Sequence, residues 1–110
     1  MEVRLTLGSN TNQQHNIAEA QRRLKSFCPS IIFGEPCWTT PIGIVSDDFL
    51  NVEATGHTSL SLEQFSTGLK EIERLLGDNH ANHSKGIVLI DIDLIDYGNT
   101  HLKDIIWKKD

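Results

Sequence analysis

Gly86-Ile87-Val88-Leu89-Ile90-Asp91-Ile92-Asp93-Leu94-Ile95-Asp96-Tyr97-Gly98 reads as a strand with two carboxylates set into an apolar run. From Ile87 to Ile95 every residue except Asp91 and Asp93 is Ile, Val or Leu, the composition of a strand buried on at least one face. Alternation sets Val88, Ile90, Ile92 and Leu94 on one face and Ile87, Leu89, Asp91, Asp93 and Ile95 on the other. The two acids then lie about 6.5 Å apart along the strand, near enough to bracket one divalent cation or two adjacent ones. Like charges that close in a partly dry site repel and raise a pKa, a penalty that a bound Mg²⁺ removes. Alternatively, the odd-numbered face is open to water and both acids merely solvate it, as is common in antiparallel sheets. Spacing alone leaves both readings open.

Outward from this strand the chain is regular. Glu2 to Leu7 alternates as a first strand with Val3, Leu5 and Leu7 on one face, and Gly8-Ser9-Asn10-Thr11-Asn12 is a polar turn. Gln13 to Phe27 places Ile17, Ala20, Leu24 and Phe27 at helical spacing, with Pro29 as the stop. Ile31 to about Thr39 reads as a second strand, in which Gly34 and Pro36 mark a bulge or an edge position. Pro41 to Asp48 is a loop, and Phe49 to about Thr58 a third strand. The second helix is the best-marked element. Ser61 with Gln64 makes a capping box, Leu60 and Phe65 are placed as a hydrophobic staple, and Leu62, Phe65, Leu69, Ile72 and Leu76 form the stripe before Gly77 at the C-terminus. Asp78 to Lys85 is a polar loop, and Ile87 to Tyr97 the fourth strand. The order βαββαβ predicts an α+β, ferredoxin-like domain: a four-stranded antiparallel sheet with both helices on one face.

Length and composition exclude several classes. The 110 residues suit a single domain spanning 1–110, and 38% hydrophobic with 23% charged residues is the composition of a globular protein. No apolar run approaches the roughly 20 residues that span a bilayer, and the N-terminus enters a strand directly without a leader pattern. Cys28 and Cys37 are isolated, lack Cys-x-x-Cys spacing, and read as small buried hydrophobes, so a reducing cytoplasm is expected. A net charge of -5 without a Lys/Arg cluster argues against a nucleic-acid backbone as partner. His80 and His83 have H-x-x-H spacing but no third ligand at a usual distance, and a solvated loop is favoured over a metal site. His15, His57 and His101 are isolated and carry no argument.

Several short motifs, taken in order, carry a resemblance. These are Leu7-Gly8-Ser9-Asn10 after the first strand, Thr39-Thr40-Pro41-Ile42-Gly43 before the loop, Asp48-Phe49-Leu50-Asn51 opening the third strand, Ile72-Glu73 in the second helix, and Ile90-Asp91-Ile92-Asp93 followed by Tyr97-Gly98. Their succession over residues 4 to 98 resembles the 6-hydroxymethyl-7,8-dihydropterin pyrophosphokinases of the folate pathway. The resemblance implies transfer of a pyrophosphoryl group from ATP to the hydroxymethyl group of the pterin, with two Mg²⁺ ions. It implies that Asp91 and Asp93 are the paired Mg²⁺ ligands that clamp the ATP phosphates and orient the attacking hydroxyl. It further implies that Thr39, Thr40, Pro41 and Ile42 line the pterin site, that Phe49 stacks on the ring and Asn51 hydrogen-bonds it, and that Glu73 lies near the adenine and ribose. A flat heteroaromatic ring calls for such a stacking face with a few fixed polar groups. Equally, Phe49 would suit a plain core, Asn51 a strand end, Asn10 a turn and Glu73 an exposed helical surface.

The departures from the family pattern weaken the donor side. Where the family reads Gly-Pro-Arg-Thr before the acid pair, this chain has Gly86-Ile87-Val88-Leu89, so Val88 stands in place of an arginine. The usually basic loop is Asp78-Asn79-His80-Ala81-Asn82-His83-Ser84-Lys85, with Lys85 at the position of a tryptophan. Phosphoryl transfer depends on positioning and cationic stabilisation, and a lysine cannot reproduce a bidentate arginine fork. The family's C-terminal region, with its Pro-His segment and further arginines, has no counterpart before Asp110. Weak ATP binding, helped only by Lys85, Arg74 or Lys70, and slow or absent turnover are therefore expected. Two further readings stand beside the enzyme: a pterin-like heterocycle binding module, and an assembly or regulatory subunit. In the last, a homodimer would bury the apolar segment around Ile105, Ile106 and Trp107.

Overall fold

Strand β1 (Glu2–Ser9) runs through the middle of an antiparallel sheet, paired on one side with β4 (Phe49–His57) and on the other with β5 (Asp91–Tyr97). The computed structural model describes residues 1–40, 47–78, 82, 84–105 and 107. Pro41, Ile42, His80, His83 and Ile106 lie outside the described residues. Helix α1 (Gln13–Phe27) follows β1, and α2 (Leu62–Leu75) follows β4.

The sheet has six described strands rather than four, for two local reasons. The expected second strand is broken at Gly34-Glu35-Pro36 into β2 (Ile32–Phe33) and β3 (Cys37–Thr39), which pair separately along β4. A proline cannot donate to the ladder, so the pairing lapses and resumes. At the other edge, a two-residue loop at Gly98-Asn99 turns the chain back into β6 (Thr100–His101), paired with the end of β5. Gly98 supplies the positive φ, +57°, that a tight hairpin loop requires. The order across the sheet is β2-β4-β1-β5-β6, with β3 also on β4. The βαββαβ frame is thus present, with both helices on one face.

That face is the core. Val3, Leu5 and Leu7 of β1, Leu50, Val52 and Ala54 of β4 and Ile92 of β5 form one cluster with Ile17, Ala20 and Leu24 of α1 and Phe65, Leu69 and Ile72 of α2. Leu62 and Leu76, expected in the same stripe, are only half-buried at the ends of α2, and of the two cysteines expected to be buried Cys28 is and Cys37 is exposed. The helices meet where Phe27 packs on Phe65, ring centroids 5.2 Å apart, in a space left by Gly68.

Helix α2 is fixed at both ends as its sequence indicates. Ser61 Oγ accepts from Gln64 N at 3.1 Å while Gln64 Oε1 accepts from Ser61 N at 3.0 Å. At the far end Asp78 N donates to Glu73 O at 3.1 Å and Gly77 N to Arg74 O at 3.0 Å, with Gly77 at φ +89°, a Schellman stop.

The last strand departs from simple alternation. Residues 87–90 precede β5 instead of opening it, and the pairing with β1 slips between Arg4, opposite Asp96, and Leu5, opposite Leu94. Ile95 is the extra residue of this bulge. It is buried, although alternation sets it on the same face as Asp91 and Asp93. Ile105 and Trp107 are half-buried.

Candidate active site

The uncovered face of the sheet brings the candidate residues into one row. Cys37 lies opposite Asn51, Asn51 opposite Gly8, and Gly8 opposite Asp91. Asn51 and Asp91 are thus two interstrand spacings apart, about 10 Å. Gly8 is the floor between them: a Cβ there would stand 3.3 Å from Asn51 Oδ1 and 3.6 Å from Phe49 Cδ1. Asn51 is buried, and its Nδ2 donates to Thr39 Oγ1 at 2.7 Å and to the Cys37 carbonyl at 3.2 Å, which turns Oδ1 toward Gly8. Phe49 is half-buried beside it, and Thr40 is exposed at the end of β3. The structure therefore gathers Thr39, Phe49 and Asn51 at one side of the row.

At the other side stand three carboxyl groups. Asp91 and Asp93 project from β5, and Glu73 reaches from α2 around the strand's outer edge, where its Oε2 accepts from Ile92 N at 2.7 Å. Burial, and then the Asp93 charge, raise the Asp91 carboxyl above the usual range. Burial likewise pushes Glu73 up to about 7, reinforced by Asp91 and opposed by the Ile92 N–H. Glu73 is therefore held beside the acid pair by a backbone bond, a task its position in a helix surface pattern does not disclose.

The cation at this cluster is Lys103, whose Nζ donates to Asp93 Oδ1 at 2.8 Å. The hydrogen bond to Asp93 raises the lysine's own pKa. Lys85, expected to supply a charge here, lies exposed in the preceding loop. Lys103 and Lys70 line, with Glu73, Asp91 and Asp93, a cavity of about 350 Å³. The sequence carried one signal for Lys103: Gly98-Asn99 reads as a hairpin turn, and a hairpin centred there returns residue 103 to the neighbourhood of residue 93.

Asn10 holds the segment that leads into the acids. Its backbone N donates to Val88 O at 2.9 Å, its Oδ1 accepts from Val88 N at 2.7 Å, and its Nδ2 donates to Gly86 O at 2.7 Å. The side chain is 2% exposed, so these bonds replace water entirely. Val88 is thereby pinned by its backbone just before β5.

The donor set suits magnesium. Among the described residues no group of three or more His, Cys, Asp and Glu side chains is arranged to hold a metal unaided. Mg²⁺ does not need one, since it takes one or two carboxylates and completes its octahedron with water and phosphate oxygens. Asp91 and Asp93, which line one cavity with Glu73, offer that pair.

Residues 4–107 match the family model described as 7,8-dihydro-6-hydroxymethylpterin-pyrophosphokinase. A folate synthesis bifunctional protein of Arabidopsis thaliana is 32% identical over 100 residues, 88% of this chain and 21% of that protein. The chain thus spans about a fifth of the length of that curated relative. Among solved structures, a hydantoinase/carbamoylase family amidase from Burkholderia ambifaria overlays 84% of this chain and 27% of its own at a TM-score of 0.41 and 12% identity, too distant to carry any argument. No described helix is long and apolar enough to cross a membrane.

Proposed function

Because the chain belongs to the 7,8-dihydro-6-hydroxymethylpterin-pyrophosphokinase family, we propose that its uncovered sheet face binds a hydroxymethylpterin and an ATP and transfers a pyrophosphoryl group between them. The observation that carries this reading is the row Asn51, Gly8, Asp91, which sets a ring-binding corner about two strand spacings from a pair of carboxylates. In this reading the pterin ring stacks on Phe49, lies over Gly8 where no side chain intervenes, and meets Asn51 Oδ1 and the Thr39 segment at its polar edge. Its hydroxymethyl group then points along the row toward β5. The hydroxyl oxygen forms a bond to the β-phosphorus of ATP as the bond from that phosphorus to the α,β-bridging oxygen breaks. AMP leaves with the bridging oxygen, and the hydroxyl proton is released. Asp91 and Asp93 would hold the Mg²⁺ that accompanies ATP, and bound there it supplies charge neutralisation of the triphosphate. Glu73 and Asn10 keep the acids in place, the first through Ile92 and the second through Val88.

Val88 favours a second reading, in which the pterin corner is intact and turnover is slow or absent. Losing a bidentate arginine from a phosphoryl-transfer site costs orders of magnitude in rate. Separate calorimetric titrations with a hydroxymethylpterin and with Mg²⁺-ATP, followed by mass-spectrometric detection of the pyrophosphorylated pterin, decide between them. The enzyme binds both and forms product, whereas the binding module takes the pterin alone. A protein that binds neither overturns both readings. Phe49→Ala should weaken the pterin by about 1 kcal/mol, the worth of an aromatic stack. Asp91→Asn with Asp93→Asn should abolish divalent-cation binding and leave the fold at least as stable, since two adjacent like charges are removed without a change of shape.

A further inference from the structure

We propose that Lys103 is a mobile phosphate-binding cation: it neutralises Asp93 in the free protein and passes to the polyphosphate of the donor nucleotide when a divalent cation takes that carboxylate. The inference rests on the pyrophosphoryl-transfer reading of the site. Its starting point is a conflict of occupancy. Lys103 Nζ is 2.8 Å from Asp93 Oδ1, so the ammonium occupies one of the directions from which an ion would approach that oxygen. A lysine and a divalent cation cannot share one carboxylate oxygen at bonding distance on the same side. Either the ion is excluded, or the ammonium leaves.

The surrounding structure permits departure of the head while fixing the base of the side chain. Leu102 N donates to Ile95 O at 2.8 Å, and His101 is clasped by Asp96 at 2.6 Å and Asp104 at 2.7 Å, so the backbone on both sides of residue 103 is tied to β5. The side chain itself is 59% exposed and meets Asp93 across the solvent-lined cavity. A four-carbon stem swings through several ångströms with its backbone held still. Released from Asp93, the ammonium finds Asp91 and Glu73 committed to one another and to the ion, and the strongest anion within its reach is the phosphate chain that the ion carries. A donor site with valine in place of an arginine thereby regains one positive charge, supplied from the far side of the acid pair.

The test uses two probes whose responses have opposite signs. In Lys103→Met, Mn²⁺ alone should bind about three- to tenfold more tightly, because a competitor for Asp93 is gone. Mg²⁺ with α,β-methylene-ATP should bind about three- to tenfold more weakly, the value of a charge-assisted hydrogen bond reduced for exposure. Lys103→Arg should return both affinities most of the way to those of the unsubstituted protein. A lysine that only props up the β5–β6 hairpin would move both affinities the same way or neither, and either result overturns the proposal. A gain for Mn²⁺ without a loss for the nucleotide also overturns it, leaving Lys103 a simple competitor. Absence of saturable Mn²⁺ binding in the unsubstituted protein is a separate failure, that of the pyrophosphoryl reading on which the inference rests.

Discussion

Asn10 and Val88 are joined by two backbone-directed hydrogen bonds across 78 residues of chain, one from the amide of Asn10 to the Val88 carbonyl and one from the Val88 amide to Asn10 Oδ1. The same side chain also holds the Gly86 carbonyl. Asn10→Ala keeps the first bond and removes the partner of the half-buried Val88 N–H and Gly86 carbonyl. The expected cost is about 1–3 kcal/mol, read from denaturant unfolding. Hydrogen exchange at Val88 should accelerate in parallel, and an unchanged Val88 amide would contradict the assignment.

Gly8→Ala tests the floor of the ligand row. The new methyl would meet Asn51 Oδ1 at 3.3 Å and cover the space over which a ring is proposed to lie. Stability should change by less than about 1 kcal/mol, since β1 accepts alanine, while pterin affinity falls about tenfold, roughly 1.4 kcal/mol. Fluorescence titration of the pterin against the two proteins makes the comparison.

Gly68→Ala sets two effects against each other. Alanine is favoured over glycine inside a helix by about 1 kcal/mol. Its Cβ, however, would stand 2.2 Å from Phe27 Cζ, and Phe27 is held against Phe65. Overpacking of this kind costs about 1–3 kcal/mol, so the net effect is destabilising by up to about 2 kcal/mol in thermal or urea unfolding. A stabilised variant would show that the helices are not packed through this contact.

His101 gives the pH dependence. Hydrogen bonds to Asp104 and Asp96 raise its pKa above the ordinary 6.5. A histidine raised on folding contributes stability that is fully present below 6.5 and lost as pH climbs through the higher folded value. The urea midpoint of the unsubstituted protein should therefore fall between pH 6 and pH 9 by more than that of His101→Asn, which has no such proton to lose. Parallel pH profiles for the two proteins would refute the clasp.

These residues show which parts of the architecture a single sequence discloses. The ends of α2 were legible because Ser61, Gln64 and Gly77 act on backbone groups within a turn of themselves. The break at Gly34 and Pro36 was legible as a flaw in a strand, although not that it would divide the strand in two. The strand's alternation is interrupted at Ile95 because its pairing is decided by the register of β1, ninety residues earlier in the chain, through the slip between Arg4 and Leu5. Within the candidate site, Asp91 and Asp93 stood out by being acids in an apolar run. Glu73 entered only through the family resemblance, and His101 and Lys103 did not stand out, since charged residues on a helix and after a strand look the same whether they face solvent or each other. Their partners are set by how α2 and the β5–β6 hairpin fold over the sheet.

The bond from Ile92 N to Glu73 Oε2 has a bearing on association as well as on the site. An outermost strand with unused amides is a template on which another chain can continue the sheet. Here the Ile92 amide of β5 is already taken by a carboxylate, and the end of the strand is paired with β6. A foreign strand laid along β5 would have to expel Glu73 and accept a negative charge at its own backbone. The opposite margin of the sheet is interrupted by Pro36 between β2 and β3. Both margins of the sheet thus carry an obstacle to a further strand, a carboxyl group bonded to the backbone at one and a proline at the other.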